Sequence, residues 1–261
     1  MKLLLKLSFT GQDFCGYQVQ KNGRTVQKTL NDACLKLFGF PCDIAGCSRT
    51  DSGVHARVFY CTVTRQGTDS LDVSIDPSRI PLALNYHLKS DIAVSKAMFV
   101  GPDFHPRYSA LAKTYRYLMR LSPVRDPFSE GSCWHVPYGT LPDATERMER
   151  ALPYLLGQHD FSSFMAAGSK IEDPVRTVRD ARLFRQDEQI VFEVSADGFL
   201  YHMVRIIAGT LVQIGAGQKE PEEMEKIILA KDRHAAGPTA PACGLYLWAV
   251  EYPHDVIPED F

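Results

Sequence analysis

Lys2-Leu3-Leu4-Leu5-Lys6-Leu7-Ser8-Phe9-Thr10, followed after a loop by Thr25-Val26-Gln27-Lys28-Thr29-Leu30-Asn31-Asp32-Ala33-Cys34-Leu35-Lys36-Leu37-Phe38-Gly39, decides the fold. Leu3, Leu5, Leu7 and Phe9 alternate with Lys2, Lys6, Ser8 and Thr10, the period of a strand with one buried face. The period then changes. Val26, Leu30, Ala33, Cys34, Leu37 and Phe38 recur at helical spacing behind a Thr25 cap, and Gly39 stands where a left-handed residue stops a helix. Two apolar runs, Cys42 to Cys47 and Val58 to Val63, predict strands with a loop between them that carries Arg49 and Asp51. Asp76-Pro77 begins a second helix through Leu88, and Ile92 to Phe99 closes as a strand. Strand, helix, strand, strand, helix, strand is the ferredoxin-like order, also the plan of RNA-recognition modules.

The remaining chain repeats that order with one extra helix. It reads as a strand from Ala112 to Leu121, a helix from Ala144 to Leu156, strands from Val175 to Arg185 and Gln189 to Ser195, helices from Leu200 to Gly215 and Glu222 to Ala230, and a strand from Leu245 to Tyr252. Asp143 with Glu146 has the spacing of a capping box, and Pro221 starts the last helix. The duplication is one of pattern, with no repeated sequence. A hinge at 100–106 gives two halves, 1–104 and 105–261, joined without a low-complexity linker. The class is therefore α+β, two ferredoxin-like halves.

Composition narrows the function classes. The longest apolar run, Phe199 to Gly217, is broken by His202, Arg205 and Gln213, so no membrane span is expected. Lys6 interrupts the apolar N-terminus, which also lacks a small-residue cleavage site, and no export is expected. Seven cysteines without a Cys-x-x-Cys pair argue against zinc or a disulfide framework and suit a reducing cytoplasm. With no metal-spaced cluster and no Gly-rich phosphate loop, neither metal nor nucleotide cofactor is expected. A net charge of −2 gives no overall basic signature, yet Arg107, Lys113, Arg116, Arg120 and Arg125 form an acid-free run, while Lys219 to Lys226 holds four glutamates. A local cationic face of that kind can meet phosphate despite the acidic balance.

The densest group of chemistry-bearing residues is Gly46-Cys47-Ser48-Arg49-Thr50-Asp51-Ser52-Gly53-Val54-His55-Ala56. A guanidinium near Asp51 favours an ionised, oriented carboxylate, which suits a nucleophile more than a general acid. The same residues read equally as a turn cap and a surface ion pair, and His55 reads on its own as a packing or hydrogen-bonding histidine. Asp51-Ser52-Gly53 matches the aspartic-protease tripeptide, but that chemistry needs two carboxylates sharing a proton, and only one copy is present. Tyr115 and Tyr117 share one strand face with Arg116 on the other, a pattern that stacks bases or simply packs a core. Arg205, inside the most apolar helix, needs a partner, either a carboxylate such as Asp51 or a backbone carbonyl. A non-catalytic RNA-binding protein on tandem ferredoxin-like modules stays open on these residues.

Taken together these residues resemble the bacterial tRNA pseudouridine synthase A family, the TruA type. Its catalytic motif matches residues 46–56, and Phe14-Cys15-Gly16-Tyr17-Gln18, residues 103–110, Lys113-Thr114-Tyr115-Arg116-Tyr117, His202-Met203-Val204-Arg205 and residues 230–246 also match, nearly the whole chain. Tyr17 and Ser52 stand where the family often has Trp and Ala. The resemblance implies isomerisation of uridine to pseudouridine in the anticodon arm of tRNA, at positions 38, 39 or 40, by a cytoplasmic homodimer without cofactor. It implies Asp51 as nucleophile, Tyr115 against the target base, Arg49 and Arg205 as positioning groups, and Tyr115, His55, Arg57, Arg107, Arg116 and Leu245 as substrate contacts. It also implies a pseudo-twofold sheet with helices on one face, and a central cleft where the Asp51 loop, Tyr115 and Arg205 meet.

Overall fold

The structure, a computed structural model, describes residues 1–137, 142–168, 171–259 and 261. It divides into two units, Met1–Leu111 with Leu247–Phe261, and Ala112–Tyr246.

The first unit runs β1 (Lys2–Phe9), α1 (Val26–Phe38), β2 (Cys42–Gly46), β3 (His55–Arg65), α2 (Ile80–Asn85) and β4 (Ile92–Val100). β1 lies between β4 and β3, antiparallel to both, and β2 pairs antiparallel with β3. The order β4-β1-β3-β2 is the ferredoxin-like arrangement. Thr25 is extended and its side chain accepts the Lys28 N–H, while Gly39 closes α1 at φ 77°. The second helix is shorter than expected. Pro77–Arg79 forms a 3-10 turn, and the α-helix begins only at Ile80, because the Pro81 ring conflicts with the carbonyl four residues back. It ends at Asn85, whose side-chain amide bonds both the N–H and the carbonyl of Val94 at 2.8 Å.

Leu3, Leu4 and Leu5 are all fully buried, although the alternation predicts one wet face. The face of β1 that carries Lys6 is covered by the chain's own C-terminal segment. Tyr60, opposite Lys6, meets Tyr252 edge-on at 5.3 Å and stacks with Phe261 at 6.4 Å. The Lys6 ammonium donates to the Phe261 carbonyl, and Lys2 Nζ donates to Phe104 O at 3.1 Å.

The second unit contains β5 (Ala112–Leu121), β6 (Trp134–Val136), α3 (Ala144–Ala151), β7 (Gly157–Asp160), β8 (Val175–Gln186), β9 (Gln189–Ala196), α4 (Met203–Gly215) and α5 (Glu223–Ala230). β9 lies between β5 and β8, antiparallel to both; β7 extends β8, and β6 runs parallel to the end of β5. The short strands β6 and β7 carry no alternation long enough to read from sequence. Asp143 makes no side-chain cap bond, so the predicted capping box is not formed, and α3 gives way at Ala151 to a 3-10 turn around Pro153.

The closing strand β10 (Leu245–Glu251) belongs largely elsewhere than its place in the sequence suggested. Residues 247–261 group with the first unit, where β10 pairs with β3, and residues 105–111 do the same. Leu111 N–H donates to Glu251 O at 2.8 Å and the Tyr252 hydroxyl to Pro106 O, bonds that tie the expected hinge to the returning C-terminus. No described helix is long and apolar enough to cross a membrane, and among the described residues no group of three or more His, Cys, Asp or Glu is placed to hold a metal.

Candidate active site

Asp51 sits in the connection between β2 and β3, on a turn closed by the Val54 N–H donating to Asp51 O at 3.2 Å, with Gly53 at φ 81°. The segment after β1 braces this turn. Phe14 O accepts from Gly53 N–H and from the Ser52 hydroxyl, both at 3.3 Å, and Tyr17 N–H donates to Thr50 O at 3.1 Å. Two glycines make the close approach possible. A Cβ on Gly11 would lie 2.1 Å from Val54 O, and one on Gly16, at φ +84°, would lie 2.7 Å from Thr50 O. Asp51 itself remains half-buried, its position set by main-chain groups on both sides.

His55, the first residue of β3, is buried, and its Nδ1 accepts the Gly11 N–H at 3.0 Å. An accepting Nδ1 requires the neutral ring with its proton on Nε2. The hydrogen-bonding reading of His55 therefore fits its place, and its ring is a brace of the turn rather than a surface contact. Arg49, Arg57 and Arg107 are exposed on the same unit, and Arg49 and Arg107 line one cavity.

In the second unit Tyr115 is buried on β5, opposite Val194, with Phe199 edge-on against it at 4.9 Å. Arg116, on the other face, has its Nε bonded to Glu193, which Arg182 also contacts, and both guanidiniums lie over the Phe184 ring. Burying Glu193 between two cations meets the requirement that a buried charge be paired. Arg205 answers the same requirement through a carbonyl: its Nε donates to Ala240 O at 2.8 Å, and Ala240 N–H donates back to Arg205 O at 3.1 Å. One position further, Pro241 O accepts the Tyr117 hydroxyl at 2.7 Å. Burial pushes that hydroxyl's pKa up, against the opposing effect of the Arg205 charge nearby. Gly244 completes the fit, since a Cβ there would lie 2.7 Å from Leu118 O; Leu245 follows, buried, at the start of β10.

Sequence reasoning left several of these residues unassigned. Gly11 has no periodic signature, and only its closeness to Val54 in space reveals it. Phe199 stands among other apolar residues, and the pattern that pairs Tyr117 with Tyr115 on one strand face leaves open whether it stacks a base or packs a core. His202, at the start of α4, holds φ 62°, a backbone state uncommon outside glycine and enriched for His, Asn and Asp.

The family model described as tRNA pseudouridine synthase matches residues 7–109 and 151–253, a span that includes the Asp51 turn, its brace and the Arg205 helix. The chain belongs to the tRNA pseudouridine synthase family. It is 46% identical over 245 residues to tRNA pseudouridine synthase A of Halalkalibacterium halodurans, covering 92% of this chain and 89% of that one. The proteins of the same name from Acetivibrio thermocellus and Bacillus licheniformis are each 41% identical, covering 95% and 97% of this chain and 98% and 99% of theirs. The synthase converts uridine to pseudouridine in tRNA, an isomerisation.

Proposed function

We propose that this synthase acts on the 3′ side of the tRNA anticodon arm, at positions 38 to 40, with Asp51 as nucleophile. The reaction breaks the N1–C1′ glycosidic bond and forms C5–C1′; C5 gives up a proton and N1 gains one, so no redox partner is required. A carboxylate oxygen of Asp51 forms a transient covalent bond to the nucleotide while the detached base turns. Tyr115 supports the target base, and Arg49 and Arg205 position the carboxylate and the nucleotide. A uridine inside a helical arm has to leave its stack before a side chain can reach it. Arg57, Arg107 and Arg116 serve the RNA backbone and Leu245 packs beside the base. The enzyme works in the cytoplasm as a homodimer whose two subunits engage one tRNA.

The observation that supports this reading best is the Asp51 turn, a half-buried carboxylate on a loop that main-chain bonds and two obligatory glycines hold from both sides. The test is to incubate purified protein with unmodified tRNA and map pseudouridine along the RNA by carbodiimide tagging. Tags at the 3′ anticodon-arm uridines, absent with Asp51→Asn, are expected. Tags only in another arm overturn the proposed positions, and unchanged tags from Asp51→Asn overturn the nucleophile. Sedimentation with and without tRNA tests the dimer; a monomer throughout removes that part.

A further inference from the structure

Beside the Asp51 turn, wholly within the first unit, lies a cavity of about 180 Å³. That is well below the roughly 300–1,000 Å³ of a drug-sized site, so it takes a fragment rather than a whole ligand. Arg49 and Arg107 line it together with Gln18, Ser48, His105 and Tyr108, and no carboxylate is among its lining residues. Two guanidiniums, an aromatic ring and an amide form a composition that fits a phosphate joined to a planar base.

One wall is tied together by its own hydrogen bonds. His105 N–H donates to the Ser109 hydroxyl at 3.1 Å, Ser109 N–H returns to His105 O at 2.9 Å, and Arg107 N–H donates to His105 Nδ1 at 3.1 Å. Burial and the charge of Lys2 hold the His105 imidazole below its ordinary pKa, which keeps that Nδ1 able to accept. Tyr108 leans on the His105 ring at 4.5 Å, with the Arg107 guanidinium 5.8 Å from its ring centre, and is 76% exposed, so that the aromatic ring and the cation stand together at the cavity's edge. Arg49 stands two residues from Asp51, so their Cα atoms are at most about 7 Å apart.

We propose that this cavity is a subsite for one nucleotide of the substrate RNA adjacent in the chain to the reacting uridine, its phosphate between Arg49 and Arg107 and its base on Tyr108. This rests on the Asp51 turn being the reaction centre. The subsite grips the strand beside the reacting nucleotide and so sets where along it the enzyme acts.

The test uses anticodon stem-loop RNAs, one intact and others each carrying a single abasic nucleotide within two positions of the target. For Tyr108→Ala on the intact RNA, KM rises about 5- to 150-fold, the range of one base–aromatic stack, with kcat little changed; Tyr108→Phe restores it. On one abasic RNA the Tyr108→Ala penalty disappears. Arg107→Gln lowers the slope of log KM against log salt by about one. Both side chains are exposed, and circular dichroism melting confirms that the variants fold. A KM within twofold of wild type for Tyr108→Ala, or a penalty of equal size on every abasic RNA, overturns the subsite. Titrating the same RNAs against Asp51→Asn protein gives Kd values that do not depend on turnover. The Tyr108 penalty seen there upholds the subsite even if Asp51 fails as nucleophile, and its absence there overturns the subsite even if Asp51 succeeds.

Discussion

Around Asp51 the supporting contacts come mostly from main-chain groups, the carbonyls of Phe14 and Thr50 and the N–H of Gly11, Gly53 and Val54, with the His55 ring and the Ser52 hydroxyl added to them. Around Arg205 side chains carry more of them, the guanidinium on Ala240 O and the neighbouring Tyr117 hydroxyl on Pro241 O, beside the Ala240 N–H on Arg205 O. The two arrangements divide chemistry from scaffold differently. In the first, the turn rests largely on main-chain bonds, so exchanging the Asp51 carboxylate for an amide of the same shape is expected to leave those bonds in place. In the second the group proposed to position substrate also holds the 240–244 segment, so loss of function and loss of structure arrive together.

Asp51→Asn sets the upper end of that comparison. Pseudouridine formation falls by on the order of 10³-fold or more, with a melting temperature close to wild type; a variant that melts early would show that the side chain is part of the brace after all. Gly11→Ala attacks the same turn from its scaffold. Its Cβ meets Val54 O, costing about 1–3 kcal/mol in denaturant unfolding together with much of the rate, and wild-type stability would break the claim that close main-chain approach sets the turn. Arg205→Ala lowers both quantities at once, by about 1.5–3 kcal/mol for a hydrogen bond from a charged group. A loss of rate with full stability would make the two regions alike. Tyr117→Phe is the milder probe of that side, about 0.5–1.5 kcal/mol.

The smallest effect concerns a more remote side-chain support of the Asp51 brace. Arg24 lies over the Phe14 ring at 4.2 Å and pairs with Asp91, and that hydrogen bond lowers the Asp91 pKa. A depressed folded-state carboxylate contributes stability fully present above its unfolded value, about 3.9, and lost as the pH falls through the lower folded value. Acid unfolding of Arg24→Gln therefore loses part of the wild-type dependence below about pH 4. An unchanged acid profile would remove the pair from the account.

How much of this was legible in the sequence follows the range of the forces involved. Helix α1 was readable to the residue, since Thr25 and Gly39 act within a turn of the chain they bound. The second helix and α3 came out short because Pro81 and Pro153 act on carbonyls four residues back, a conflict the apolar pattern does not show. The burial of Leu4 and the place of residues 247–261 depend on the C-terminal segment returning to β1 and β3, contacts far apart in sequence. The Asp51 motif stood out because its residues are contiguous. Gly11 did not, because what gives it meaning is a carbonyl, that of Val54, brought near only by folding.

If Asp51 bonds covalently to the nucleotide it isomerises, as proposed, that bond can be trapped. A tRNA carrying 5-fluorouridine at the target cannot lose a C5 proton, so the covalent species accumulates. Digestion and mass spectrometry are then predicted to place a nucleotide adduct on the peptide that contains Asp51, with none formed by Asp51→Asn. An adduct on any other residue, or one formed equally by the variant, would contradict the account.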